Sequence, residues 1–332
     1  MQSSFPSALR ILAGLVVLIA AVQAPPPAQA QAPKPVELPR NIAFVVPVAP
    51  GGGVDVQTRV VARYLPKYLP GSPTMIVENV VGAGGRVGMQ RVAKSKSDGS
   101  IIGATYTPDA LGTQAIYGAE AGYDFSKFVL LTSTYHSPYT LSVGPKTPYK
   151  SLADLKNAGK PIAFCTVGGI DMAYIVIASK TVGFQFRLVP GYKGAPVGMA
   201  AMIRGDCEAV TFGIELANRY LGEGVRPIAL YAAEREKLWP TVPTAKEQGY
   251  PLELQINIVY LLPPGAPPEV ANLYREALGK LYHEKEFLDA IRATKYTPTF
   301  ADTKQTQQIA TGLIELYGKY AQDLRQAADQ IR

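Results

Sequence analysis

The sequence predicts an α/β fold with mostly parallel sheets. Three observations carry this. Short apolar runs lack polar alternation, Gly- and Pro-rich turns punctuate them, and stretches of helical spacing lie between them. The strand–helix order restarts midway, so two such units are expected. Residues 42–48 are the first apolar run, as in a strand buried on both faces. Residues 54–69 follow, with apolar side chains at 56, 60, 61, 64, 65 and 69, the spacing of a helix. Residues 74–77 read as a strand, Gly82 to Gly85 as a turn, and the stretch to Lys94 as helical. Asp98 and Gly99 turn the chain into a third strand at 101–106. The second unit begins with strand-like runs at 128–135 and 139–143. Ser151 opens a helix over 151–157 as N-cap, with Asp154 three residues on as the capping-box partner. Strands at 162–166, 186–189, 209–212 and 227–231 alternate with helices at 172–181 and 195–203. A long strand at 254–262 precedes helices at 268–282 and 303–328.

A chain that returns to the first unit near Leu254 crosses between the units at least twice, which makes a hinged cleft. Two independent tandem domains would show a similar pattern.

Composition narrows the function. Of 332 residues, 47% are hydrophobic and 18% charged, so the chain is globular. Two Cys exclude a disulfide framework and a Cys-rich zinc module. Two His, His136 and His283, leave little for a metal site or a Ser-His-Asp triad. No metal and no cofactor is expected. The net charge of +7 is spread along the chain and forms no nucleic-acid stripe.

The first thirty residues read as an address. Arg10 precedes an apolar run over 11–22 that is too short to span a bilayer. Three prolines and then Ala28, Gln29 and Ala30 give the small-x-small pattern of signal-peptide cleavage. A membrane anchor is the alternative, disfavoured by the short run and the prolines. No Cys precedes Cys165, so a lipoprotein cysteine is excluded. Cleavage near Ala30 leaves 332 − 30 = 302 residues with a charge of 7 − 1 = +6. A Pro-rich flexible arm follows over 31–40. An exported protein lacks ready access to NAD and ATP, which lowers the prior for dehydrogenases and kinases.

The Gly-rich loops point at an anion. Ala49, Pro50, Gly51, Gly52 and Gly53 lie between a strand and a helix, where backbone can approach a ligand and helix N–H groups stand unpaired. Asp55 has two readings, cap of that helix and partner of a ligand amine. Ala83 and Gly84 repeat the device, but Val87 stands where a dinucleotide fingerprint needs its third glycine. Neither loop is a P-loop. Thr166, Gly168, Gly169 and Asp171 form the matching loop of the second unit, and residues 192–195 a fourth. Tyr106, Tyr139 and Tyr192 are candidates to line a pocket, with ordinary packing as the other reading. No nucleophile elbow and no zinc-protease motif is present, so no catalytic residue is expected. Cys165 falls at a strand end and Cys207 at a strand start, which in parallel strands predicts two buried free thiols.

Together these segments resemble a known family. Pro47 with Gly51, Gly52, Gly53 and Asp55, Glu78 and Asn79, Gly82 to Gly85 with Gly88, and Asp98 with Gly99 match the Bug/TctC-type substrate-binding proteins of tripartite tricarboxylate transporters. So do Tyr192 to Ala195, Gly205 with Asp206, the Pro240 and Glu247 segments, and Pro263 to Pro267. The resemblance covers the chain beyond its leader. It implies a type II-like two-lobed periplasmic binding-protein fold, with each lobe a mostly parallel sheet flanked by helices. Lobe 1 is expected over 41–137 and 255–332, lobe 2 over 138–254. The resemblance implies a monomeric periplasmic receptor that captures a small organic carboxylate in the cleft and delivers it to a two-subunit membrane permease. It places Ala49, Pro50, Gly51, Gly52, Asp55, Ala83 and Gly84 around the carboxylate. Val167, Ile170 and Asp171 depart from the Ser/Gly-rich loop of the family, so a more apolar or aromatic acid is expected. Presentation of the ligand to a membrane sensor, and an exported enzyme on the same fold, are the competing readings.

Overall fold

A computed structural model describes residues 36–330. The leader over 1–30 and residues 31–35 of the arm lie outside the described residues. Strand β1 (Asn41–Val46) is buried almost throughout from Ile42 on, as its apolar run requires. Helix α1 (Gly53–Tyr64) buries Val54, Thr58 and Val61, the i, i+4, i+7 stripe that faces a sheet. Strand β2 (Thr74–Asn79), helix α2 (Arg86–Ala93) and strand β3 (Ile101–Tyr106) follow, and β1 pairs in parallel with both β2 and β3.

Helix α3 (Thr107–Tyr117) has no clear amphipathic signal in sequence, because Thr107, Ala110, Leu111 and Thr113 bury it on several sides. Strand β4 (Val129–Val143) joins the two runs read as separate strands. Helix α4 (Leu152–Lys156) carries the expected capping box: the Asp154 N–H donates to Ser151 Oγ at 3.2 Å, and the Ser151 N–H to Asp154 Oδ2 at 3.0 Å.

Strand β5 (Ile162–Cys165), helix α5 (Ile170–Val182), strand β6 (Phe186–Val189) and helix α6 (Ala195–Arg204) continue the alternation. Strand β7 (Ala209–Gly213), the short helix α7 (Ile214–Asn218) and strand β8 (Arg226–Leu230) end the second unit. Strand β9 (Gln255–Leu262) follows, then α8 (Pro268–Leu281) and α9 (Lys285–Ala293). The two-residue strand β10 (Phe300–Ala301) leads into α10 (Thr303–Lys319) and α11 (Ala321–Asp329), which divide the single helix expected over 303–328. Among the described residues no helix is long and apolar enough to cross a membrane.

The strands form one continuous mixed path, β2-β1-β3-β9-β4-β7-β5-β6, with β8 and β10 also on β4. Its two ends are parallel, and the joins through β9 and β4 are antiparallel. The first part of β4, to Pro138, pairs with β9; from Tyr139 on it pairs with β7 and β8. The changeover is marked by a register shift between Thr134 and Ser137, where Tyr135 takes φ +53°. Such bulges re-aim side chains and bend strands. The core under β9 packs Tyr260 edge-on against Phe44, with ring centres 5.8 Å apart. Each such fully buried ring contributes about 1.5–3 kcal/mol by leaving water.

The cysteine expectation is overturned. Cys165 and Cys207 form a disulfide, with Cα atoms 5.5 Å apart. The reason is register. Phe164 of β5 pairs with Ala209 of β7, so β7 begins beside the end of β5 and not beside its start. The Glu208 N–H donates to the Ala163 carbonyl at 2.8 Å and fixes that stagger. Parallel strands hold a strand end and a strand start apart only when they are flush.

Candidate ligand-binding site

A cavity of about 620 Å³ opens where several strand ends meet. Its walls come from the β1–α1 loop, the β3–α3 junction, the β4 bulge, the β5–α5 loop, the start of α6, the β7–α7 junction and the turn after α9. Two other hollows, about 550 and 620 Å³, lie against the α11 and α10 surfaces. We place the site in the first because, of these three, it gathers loops from strand carboxyl ends, where α/β sheets bind ligands.

The β1–α1 loop is built around Asp55. This side chain is only 2% exposed. It accepts from the Gly51 N–H at 2.8 Å and from Asn79 Nδ2 at 2.9 Å, and it pairs with Arg59. Burial alone would raise its pKa, but the hydrogen bonds from Arg59, Gly51 and Asn79 outweigh burial and hold it below the usual carboxylate range. Gly51 takes φ +82°, a conformation that favours glycine. At Gly53 a Cβ would collide with Tyr106 Oη and stand 3.0 Å from Tyr296 Oη. The glycine therefore lets two phenol hydroxyls reach the start of α1. Burial holds the Tyr106, Tyr135 and Tyr139 hydroxyls well above the ordinary phenol range, so they stay protonated and able to donate. Tyr135 and Tyr296 meet edge-on at 4.9 Å.

The β5–α5 loop is closed on itself. Asp171, 3% exposed, accepts from Thr166 Oγ1 at 2.6 Å and the Val167 N–H at 3.0 Å, and Thr166 Oγ1 accepts from the Gly168 N–H at 3.0 Å. Asp109, near the start of α3, lies against this loop; a Cβ at Gly169 would stand 3.0 Å from its Oδ1. Burial, then the facing Asp171, pushes Asp109 up to about 7 against the pull of the Ile170 N–H. Burial likewise pushes Asp171 up to about 7, although Thr166 and Val167 pull it down.

A stability prediction follows with a definite sign. A carboxyl whose folded-state pKa is raised stabilises the fold below its ordinary value of 3.8, and that contribution is lost as pH rises through about 7. Asp109→Asn cannot ionise. Its unfolding free energy should match wild type near pH 4 and exceed it at pH 8, by an amount on the order of 4 kcal/mol. A variant no more stable at pH 8 than at pH 4, relative to wild type, would contradict the assignment.

Of the residues singled out in sequence, Ala49, Gly51, Gly52, Tyr106, Tyr139, Gly168 and Asp171 line the cavity. Pro50, Asp55, Ala83, Gly84, Thr166, Gly169 and Tyr192 do not. Asp55 and Thr166 hold their loops from behind. The Gly84 carbonyl accepts from Thr113 Oγ1 at 3.3 Å, and Tyr192 packs on the cluster around the disulfide. Sequence reasoning missed Asp109, Tyr135, Glu215, Arg219, Lys295 and Tyr296. Pro108 at the start of α3 was a readable helix-start signal beside Asp109. The gap between the two runs of β4 marked the bulge that carries Tyr135. The turn at Lys295 and Tyr296 carried no motif.

The chain matches the tripartite tricarboxylate transporter family receptor over residues 57–324. It belongs to that family. The family consists of solute-binding receptors, not enzymes. BugT of Bordetella pertussis is 26% identical over 310 residues, spanning 90% of this chain and 92% of its own. A protein of R. palustris solved with adipate superposes with a TM-score of 0.70 at 22% identity, covering 87% of this chain and 98% of its own. MatC of Rhodopseudomonas palustris, solved with bound malate, gives 0.69 at 20% identity, covering 85% and 98%. These likenesses show the fold: the α/β architecture of periplasmic binding proteins, here with a mixed sheet and flanking helices.

Proposed function

We propose that the protein is a periplasmic receptor that captures a small organic carboxylate in this cavity and hands it to a membrane permease of the tripartite type. The observation that carries this reading is the head of the cavity. There the Gly51 to Gly53 loop opens α1 beside the neutral hydroxyls of Tyr106 and Tyr296; the Gly51 and Gly52 N–H groups already donate to Asp55 and the Ala49 carbonyl, so the two hydroxyls and the first turn of α1 are what an anion meets. The bodies of Tyr135, Tyr139, Val167, Ile170, Phe212 and Ile256 line the rest, which suits an acid with an apolar or aromatic tail. The binding of adipate and malate by two proteins of like fold supports the carboxylate class. Lobe 1 takes 41–137 and 255–332, and lobe 2 takes 138–254. The changeover along β4 near Pro138, and the return of the chain into β9, support that division. Closure of the lobes then follows ligand affinity, because a ligand shifts the equilibrium only by binding the closed state better.

The test is thermal. Purified protein lacking residues 1–30 is melted with a panel of mono- and dicarboxylic acids, aliphatic and aromatic. An acid at a hundredfold excess over its Kd adds about 2.7 kcal/mol, a rise on the order of 5 °C. A panel without any shift would remove the reading.

A further inference from the structure

Two cations at the cavity have no side-chain hydrogen bond or ion pair among the described residues: Arg219, directly after α7, and Lys295, two residues after α9. Both are exposed and both line the cavity. Lys295 stands at φ +65°, in the left-handed region, and Tyr135 at +53°. Only four non-glycine residues among those described have positive φ, and these two both line this cavity. Strain of this kind, on the order of 1–3 kcal/mol per residue, gathers where a site needs a side chain aimed. The turn at Lys295 delivers Tyr296, whose hydroxyl reaches the Gly53 position. The charge of Arg219 acts on that same tyrosine. Arg219 and Tyr296 thus share the end of the cavity at the Gly51 to Gly53 loop, and Lys295, the chain neighbour of Tyr296, also lines the cavity. Glu215 is the carboxylate at that end, held by the Ser137 hydroxyl at 2.8 Å. The charged lining is a formal 2 − 3 = −1 with Asp109 and Asp171 ionised, and 2 − 1 = +1 with both protonated, the form that their burial favours. Asp109 and Asp171 line the cavity with Tyr139, Val167 and Ile170 and act on each other, so a further negative charge beside them is disfavoured.

We propose that Arg219 and Lys295 are the head-group residues of the receptor: they draw the ligand's carboxylate to the Gly51 to Gly53 end and send its apolar tail toward Tyr139, Val167 and Ile170. The proposal rests on the carboxylate-receptor reading and adds to it a charge-assisted, one-way orientation. The two cations stand on different lobes as divided above. A carboxylate between them joins the lobes, whereas the two charges alone oppose closure.

The experiment is calorimetry with 3-phenylpropionate and its neutral amide, at about 20 and about 200 mM salt. It uses wild type, Arg219→Gln, Lys295→Asn and the double variant. Asn tolerates positive φ, so Lys295→Asn removes charge without adding strain. Lys295→Gly serves as a second variant, and melting curves confirm that each protein is folded. The expected result is that wild type prefers the acid to the amide. Each substitution weakens the acid about tenfold and the amide by no more than about twofold. In the double variant the salt dependence of acid binding largely disappears. Equal weakening of acid and amide, or an unchanged salt dependence, would overturn the proposal and leave the receptor reading standing. Failure of wild type to bind 3-phenylpropionate would overturn the apolar-acid reading and this proposal with it.

Discussion

Replacing Cys165 and Cys207 together with Ser should cost the protein about 4 kcal/mol of stability. The bond closes a segment of 42 residues, and the chain-entropy relation gives about that figure for such a loop. Both cysteines are buried, 0% and 3% exposed, in the cluster with Met199, Met202 and Phe212. Serine hydroxyls there meet few polar partners, so the substitution adds a desolvation penalty to the lost cross-link. The bond also holds the start of β7 on β5, and β7 leads directly to α7 and the cavity wall at Gly213 and Glu215. Ligand binding should therefore weaken along with stability. Denaturant unfolding with and without reductant measures the effect. Wild type in reductant should resemble the double variant, and an unfolding midpoint unchanged by both treatments would contradict it.

The second large effect is expected at Gly53. A methyl group there pushes against Tyr106 Oη and Tyr296 Oη, which sit together only because the residue has no side chain. Gly53→Ala should displace both hydroxyls from the start of α1. The cost in stability is modest, about 1–2 kcal/mol, because the displaced atoms are side-chain ends. The cost in acid affinity is larger, about tenfold to a hundredfold, because two donors leave the head of the cavity. Gly52 is the control. A Cβ there would stand 3.3 Å from the Ala49 carbonyl oxygen and 3.6 Å from a Val48 methyl, with neither tyrosine hydroxyl nearby. Gly52→Ala should bind within a few-fold of wild type. Equal affinity losses at the two positions would show that loop backbone, and not the tyrosine pair, sets the head.

The alternation of strands and helices was legible because each buried strand is a short apolar run ended by Gly or Pro, and those are local properties. The capping box at Ser151 and Asp154 was legible for the same reason. Helix α3 was not, because the protein surrounds much of it and its sequence lacks the polar face that periodicity detects. The disulfide was misread because it depends on the stagger of β5 and β7, strands that neighbour in the sheet but not in the chain. The cavity-lining loop was legible in its three glycines. Its neighbours across the cavity were not. Tyr135 owes its aim to a bulge, and Tyr296 and Lys295 to a strained turn; both arise from tertiary contacts. Asp55 shows the converse, since its residue type and position drew attention, yet its carboxylate is spent on Gly51, Asn79 and Arg59.

A crystal structure of the protein with an acid that stabilises it decides where the ligand sits. The carboxylate is expected at the Gly51 to Gly53 loop, within hydrogen-bond reach of Tyr296, with the rest of the molecule running toward Tyr139 and Val167. An acid found in the hollow against α11 or α10, or turned with its carboxylate toward Asp109 and Asp171, would contradict it.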